Sequence, residues 1–306
     1  MQLVNLPICQ LSVIDKSASH KFSVYIMLTQ NIDLCASKVN KLKIVNFNGE
    51  RKLYKDDKVR ATLSNLPFDT AIAQFKSYLS QSINIAKNTT NKQVRMVLIG
   101  DNASMFGAPI LLRNAGKEFS SEQQSVDVWF ADSLSLFKEL IESQLPALWN
   151  ADGTFPKTNQ SSIYETPFNQ TFDAHDALED VLALREILFS LKLKLSNKTI
   201  IENLALTNTN HTFEDLVYLD GRHKILQSFQ AKLYNPERND GVIEKSIAEK
   251  IAGSGLAYEN LKNVYSHYGA ILLRPASCAT SRSPRVTCTG RTLAVVIAHF
   301  QCASCP

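Results

Sequence analysis

The residues most able to do chemistry lie in the run Phe172-Asp173-Ala174-His175-Asp176-Ala177-Leu178-Glu179-Asp180. Its core is His175-x-Ala177-x-x-Asp180, opening a predicted helix that carries Ala177, Val181, Leu184 and Leu188 on one face. A carboxylate in the first turn of a helix can hold a divalent metal. A histidine just ahead of that helix can take a proton from an attacking water, and a small alanine between them admits backbone and substrate. A second run, Val97-Leu98-Ile99-Gly100-Asp101-Asn102, ends an apolar strand pattern and continues through Phe106 and Gly107 into Pro109-Ile110-Leu111. Read alone, Asp101 beside Asn102 is a helix cap, and His175 near a helix start with an exposed Asp180 in the first turn is an ordinary arrangement.

Together the two runs resemble the third and second motifs of the DEDDh-type 3′-5′ exonucleases. In the second motif a strand ends in His-Asn, and an aromatic residue followed by Asp comes on the next helix. Here Asn102 and Phe106 match, whereas Asp101 stands where the histidine belongs and Gly107 where a metal-binding carboxylate belongs. Upstream, Ile8 to Ile14 resembles the second strand of that family, with its Gln10-Leu11. The first strand, which carries Asp-x-Glu, would precede it, but only seven residues stand before Ile8 and none is acidic. Within the family the nearest likeness is to the exonuclease-like C-terminal domain of the promyelocytic leukaemia protein and its invertebrate relatives.

The resemblance implies an α/β ribonuclease H-like mixed sheet flanked by helices, with its first strand missing. It implies two-metal phosphodiester hydrolysis with Mg²⁺ or Mn²⁺, His175 and Asp180 as vestigial catalytic residues, and Asn102 and Phe106 as substrate contacts. Four carboxylates ordinarily hold such a metal pair, and Asp180 is the one present, so the expectation is a centre that retains no metal and an inactive enzyme with weak nucleic-acid binding at most. The alternatives are an active Mg²⁺-dependent exonuclease using substitute acids, with Asp101, Asp173 and Asp176 as candidates, and a protein-interaction module on an inert core.

The elements that must position these residues alternate in type. Strands are predicted at Ile8 to Ile14, Phe22 to Met27, Val94 to Ile99 and Val126 to Ala131, with a hairpin about Asn48-Gly49. Helices are predicted where Ala71, Phe75, Leu79 and Ile83 recur, at Pro109 to Ala115 with Gly116 as stop, and at Leu134 to Leu145. Thr154 to Gln170 reads as loop. Beyond Ser196 strand signals stop. Thr212 to Asp215 resembles a capped helix start, and two further helical faces follow, one with Ile243, Ile247 and Ile251 and one with Leu261, Val264, Tyr265 and Tyr268. Between them Gly253-Ser254-Gly255 resembles the turn of a helix-hairpin-helix module. The division expected is an α/β domain over 1–191, a helical module over 192–274 and a separate tail over 275–306.

That tail has no Asp, Glu or Lys yet carries four of the six cysteines, a break that reads as sequence not selected to fold with the rest. Its Cys302-x-x-Cys305 lacks paired partners at zinc-site spacing. With 44% hydrophobic and 20% charged residues over 306 positions the chain has globular composition, and its net charge of +4 permits but does not argue for polyanion binding. The absence of a leader pattern, of an apolar run long enough for a bilayer and of a disulfide framework predicts a cytoplasmic or nuclear protein without a membrane partner. With no strand to sit between its neighbours, a truncated gene product is expected.

Overall fold

A computed structural model describes residues 7–55, 65–90, 93–122, 128–235, 240–241, 243–268 and 292–302. In chain order the elements are β1 (Ile8–Asp15), β2 (Lys21–Ile26), α1 (Leu34–Asn40), β3 (Leu42–Phe47), β4 (Glu50–Lys55), β5 (Asn65–Leu66), α2 (Phe68–Asn88), β6 (Val94–Gly100), α3 (Ala108–Glu122), β7 (Val128–Asp132) and α4 (Ser133–Glu142). They continue through α5 (Gln160–Phe168), α6 (Ala177–Phe189), α7 (Asn197–Asn203), β8 (Ala205–Asn208), α8 (Thr209–Gln227), α9 (Lys245–Gly253), α10 (Tyr258–Tyr268) and β9 (Thr292–Cys302).

The chain divides into two units, one within Leu3–Thr212 and Arg285–Pro306, the other within Phe213–Pro284. The first is α/β. Its seven-stranded mixed sheet runs β5-β2-β1-β9-β6-β7-β8, and β3 and β4 form a separate hairpin. The predicted strands and the Asn48-Gly49 hairpin turn stand where the alternating and apolar patterns put them.

The tail departs from the sequence reading. Residues 292–302 are a central strand: β9 is antiparallel to β1, with Val13 opposite Ala298, and parallel to β6, with Val97 opposite Val295. The slot expected to stand empty is filled, and β1 and β6 both have hydrogen-bonded partners. The physical reason is plain in Val295-Val296-Ile297-Ala298, a β-branched apolar run whose Val296, Ile297 and Ala298 are buried. A strand covered on both faces reads as continuous hydrophobicity, which fits this run. Cys278, Cys288 and Cys305 lie outside the described residues.

Other expectations are corrected in detail. Strands do not stop at Ser196, because β8 pairs antiparallel with β7 and brings α7 into the α/β unit. The stretch 154–170 contains α5, capped by Asn159 accepting from the Ser162 amide at 2.9 Å. Gly116 does not stop α3, which continues to Glu122. Helix α8 starts three residues before Thr212, where the Asn208 side chain accepts from the His211 amide at 2.7 Å.

On one face of the sheet Ile14, Val97, Ile99 and Ile297 pack with Phe137, Ile163, Leu184 and Leu188 from α4, α5 and α6 in one core. The alternate residues Met96 and Leu98 are buried as well, so both faces are covered. The second unit is helical. Phe229 is buried and meets Tyr258 edge-on with centroids 5.8 Å apart, and Tyr218 of α8 donates to the Gly253 carbonyl at the end of α9 at 3.0 Å. Gly255 has φ +83°, the left-handed geometry that favours glycine in such a turn. No helix among the described residues is long and apolar enough to cross a membrane.

Candidate functional site at the ends of the central strands

Strands β6, β7 and β9 deliver their C-terminal ends to one place. At Gly100 an added Cβ would stand 2.8 Å from the Ala298 carbonyl oxygen, so the missing side chain is what lets β9 lie beside β6. Ile99 faces Ile297 in that register, and two residues on in each strand come Asp101 and His299. Asn102 then takes left-handed backbone at φ 51°, and a π-helical turn over Ala103–Gly107 leads into α3. π-helical turns are rare and cluster at functional sites.

Asp101 is not a helix cap. Its Oδ1 accepts from the Ser133 hydroxyl at 3.3 Å, and burial, then the neighbouring Asp132, holds its carboxyl above the ordinary carboxylate range. Asp132 ends β7 and does the capping, accepting from the Leu134 amide at 2.9 Å and from the Ser104 amide at 3.0 Å. Asp101 and His299 share a cavity of about 20 Å³ with Gly100, Phe106, Gly107 and Ala298. That is room for about one water, not for a nucleotide base. Phe106 is thus part of a tight wall, and Asn102, expected as a second substrate contact, is exposed at the start of the π-helical turn and makes no side-chain cap bond there.

Asp180 lies in the first turn of α6, as predicted, and is buried. Its Oδ1 accepts from the His175 amide at 3.4 Å, and its Oδ2 stands 3.3 Å from His299 Nε2. Burial raises the Asp180 carboxyl to about 7, and burial lowers the His299 imidazole to about 4, although Asp101 and Asp176 pull that imidazole upward. Between about pH 4 and about pH 7 the pair is therefore mostly neutral, with its proton on the carboxyl. His175 is exposed and has φ +72°, and its backbone amide donates to Asp180.

Neither acid flanking His175 is spare. Asp176 is buried and caps α6, accepting from the Leu178 amide at 3.0 Å, from Tyr25 Oη at 3.1 Å, from Gln10 Nε2 at 3.3 Å and from Lys55. Burial works against its charge, but the Lys55 ammonium prevails and holds it below the usual carboxylate range. Asp173 pairs with Lys41 at 2.6 Å and Lys55 at 3.3 Å and is held low by Lys41 first. Gln10, noted in sequence only as part of a strand likeness, also accepts from the Ala177 amide at 3.0 Å and ties β1 to the helix start.

A Mg²⁺ or Mn²⁺ pair does not fit this donor set. Among the described residues no group of three or more His, Cys, Asp or Glu side chains is placed to hold a metal ion. Gly107 offers no side-chain oxygen, burial raises the Asp180 carboxyl to about 7 and an imidazole stands 3.3 Å from it, whereas Mg²⁺ demands several oxygen ligands in near-octahedral array. The residues that sequence reasoning missed are His299, Asp132 and Ser133. The signal for His299 is the run from Thr292 to Phe300, an apolar segment of strand length. A scan against protein-family models and a comparison with curated proteins both find no match to this chain.

Proposed function

We propose that this chain is a ribonuclease H-like relative of the DEDDh 3′-5′ exonucleases that has lost hydrolytic activity and retains weak nucleic-acid binding at most. Three placements support the reading. A strand lies between β1 and β6, where the first strand of that family lies. The His175–Asp180 run opens α6 beside it, and the Asn102–Phe106 run leaves β6 at the same end. The observation that carries the loss of activity is the His299–Asp180 pair, an imidazole 3.3 Å from a buried carboxyl that burial raises to about 7, where a cluster of ionised oxygens would be needed.

The experiment is incubation of the full chain with 3′-labelled single-stranded DNA and RNA in Mg²⁺ or Mn²⁺. The expected outcome is no shortened product above a no-protein control, with Asp180→Asn indistinguishable from the parent. A Mg²⁺-dependent ladder that Asp180→Asn abolishes would overturn the proposal. Retention of nucleic acid should be weak and fall with added salt, as expected of a chain with net charge +4.

A further inference from the structure

The α/β unit contains a second, larger cavity of about 270 Å³, away from the cluster around Asp101. Its walls are Val97 and Ile99 of β6, Val295 of β9, Ile200 and Leu204 around α7, and Leu206 of β8, every one aliphatic. Val97, Ile99, Ile200 and Leu204 are buried, so this partly open pocket reaches inward against the core. Its polar lining is confined to Lys16 and Asn197, both exposed, and these mark the mouth. At roughly 30 Å³ per water-sized group the interior has space for about nine such groups, and a cavity walled by aliphatic side chains prefers hydrocarbon to water.

The mouth is cationic. The Lys16 ammonium sits 4.8 Å from the centroid of the Phe189 ring, which also lines the cavity, and donates to Asn197 Oδ1 at 2.8 Å. Arg185 stands behind it, its Nε donating to the Lys16 carbonyl at 2.9 Å. The nearby carboxylate of Asp15 is turned into its own loop, accepting from the Ser17 and His20 amides at 3.2 and 2.8 Å. One end of the space is therefore positive and the remainder is hydrocarbon, the pattern of a site in which few polar groups orient a mostly apolar ligand.

We infer that this cavity binds a medium-chain aliphatic carboxylate, with the chain among Val97, Ile99, Ile200 and Leu204 and the carboxylate on Lys16. A carboxylate can share the ammonium with Asn197, since an ammonium carries three donors. The inference is independent of the nuclease reading, because the two sites share no lining residue.

The test is calorimetric titration of the full chain with decanoate and with decanol. One saturable decanoate site is expected. Lys16→Glu should weaken decanoate at least tenfold while changing decanol less than twofold, and Ile200→Trp, which fills the space, should abolish both. Circular dichroism checks that each variant folds, and should Ile200→Trp not fold, the Lys16→Glu comparison decides alone. Absence of saturable binding overturns the inference, as does decanoate affinity that Lys16→Glu leaves unchanged.

Discussion

Asp176 and Asp180 lie four residues apart at the start of one helix, and their surroundings drive them in opposite directions. Asp176 answers an ammonium, a phenol, an amide side chain and two backbone amides. Asp176→Ala removes the cap and strands Lys55, so urea unfolding should show a loss of about 2–4 kcal/mol. Asp180 and His299 form the opposite case. Against unfolded values of about 3.9 and about 6.5, burial raises the carboxyl to about 7 and lowers the imidazole to about 4. The carboxyl's contribution to stability is present below about pH 4 and is lost as pH rises through about 7; the imidazole's is present above about pH 6.5 and is lost as pH falls through about 4. Between those limits each state of the pair binds one proton, on the carboxyl when folded and on the imidazole when unfolded. The parent should therefore show nearly flat stability from about pH 4.5 to about 6.5. His299→Gln should lose stability as pH rises across that range, and Asp180→Asn should lose it as pH falls, both read by urea midpoints. Of this site, the place of Asp180 in the first turn of α6 and of Phe106 just beyond β6 could be read because their spacing is local. His299 was not, because nothing local tells an imidazole near the end of an apolar run that a helix start more than a hundred residues earlier will face it.

At the scale of elements, β9 holds the sheet together. Deleting residues 285–306 should leave β1 and β6 with facing rows of unpaired amides and carbonyls, each buried unmet group costing about 1–3 kcal/mol. That sum exceeds the roughly 5–15 kcal/mol of a typical domain, so the shortened chain should show no cooperative urea transition by circular dichroism. Gly100→Ala tests the same seam more gently, since the added methyl would press on the Ala298 carbonyl from 2.8 Å. A loss of about 1–3 kcal/mol is expected by thermal or urea unfolding. The periodic elements β1, β2, α2, β6, β7 and α6 were readable because apolar spacing of two or near four residues states the face each must bury. Helix α5 was hidden by polar residues whose role is capping, with Asn159 at its start and Asn169 in left-handed backbone at its end. Strand β9 was hidden for a different reason. Hydrophobicity shows that a run is buried but not which slot it fills, and the surrounding lack of acids and lysines drew attention from its core-like centre.

At the scale of the whole chain, the division into units follows pairing and not sequence order: residues 292–302 join the unit begun near the N-terminus, and the helical unit comes between its parts in sequence. Composition could state that such a chain folds, but the boundary near residue 191 rested on fading strand signals and missed β8, whose four residues give too short a pattern. With a donor set unsuited to a metal pair, the melting temperature should be unchanged, within about 1 °C, by millimolar Mg²⁺, Mn²⁺ or chelator, since only a ligand that binds the folded state shifts it. The central position of β9 also sets a timetable for biosynthesis. The ribosome must have polymerised past residue 302 before residues 8–15 can acquire their inner neighbour, so the α/β unit cannot mature while its middle is still being translated. Nascent intermediates carry an open seam flanked by apolar side chains, which makes them clients for holdase chaperones and makes premature termination equivalent to loss of the fold.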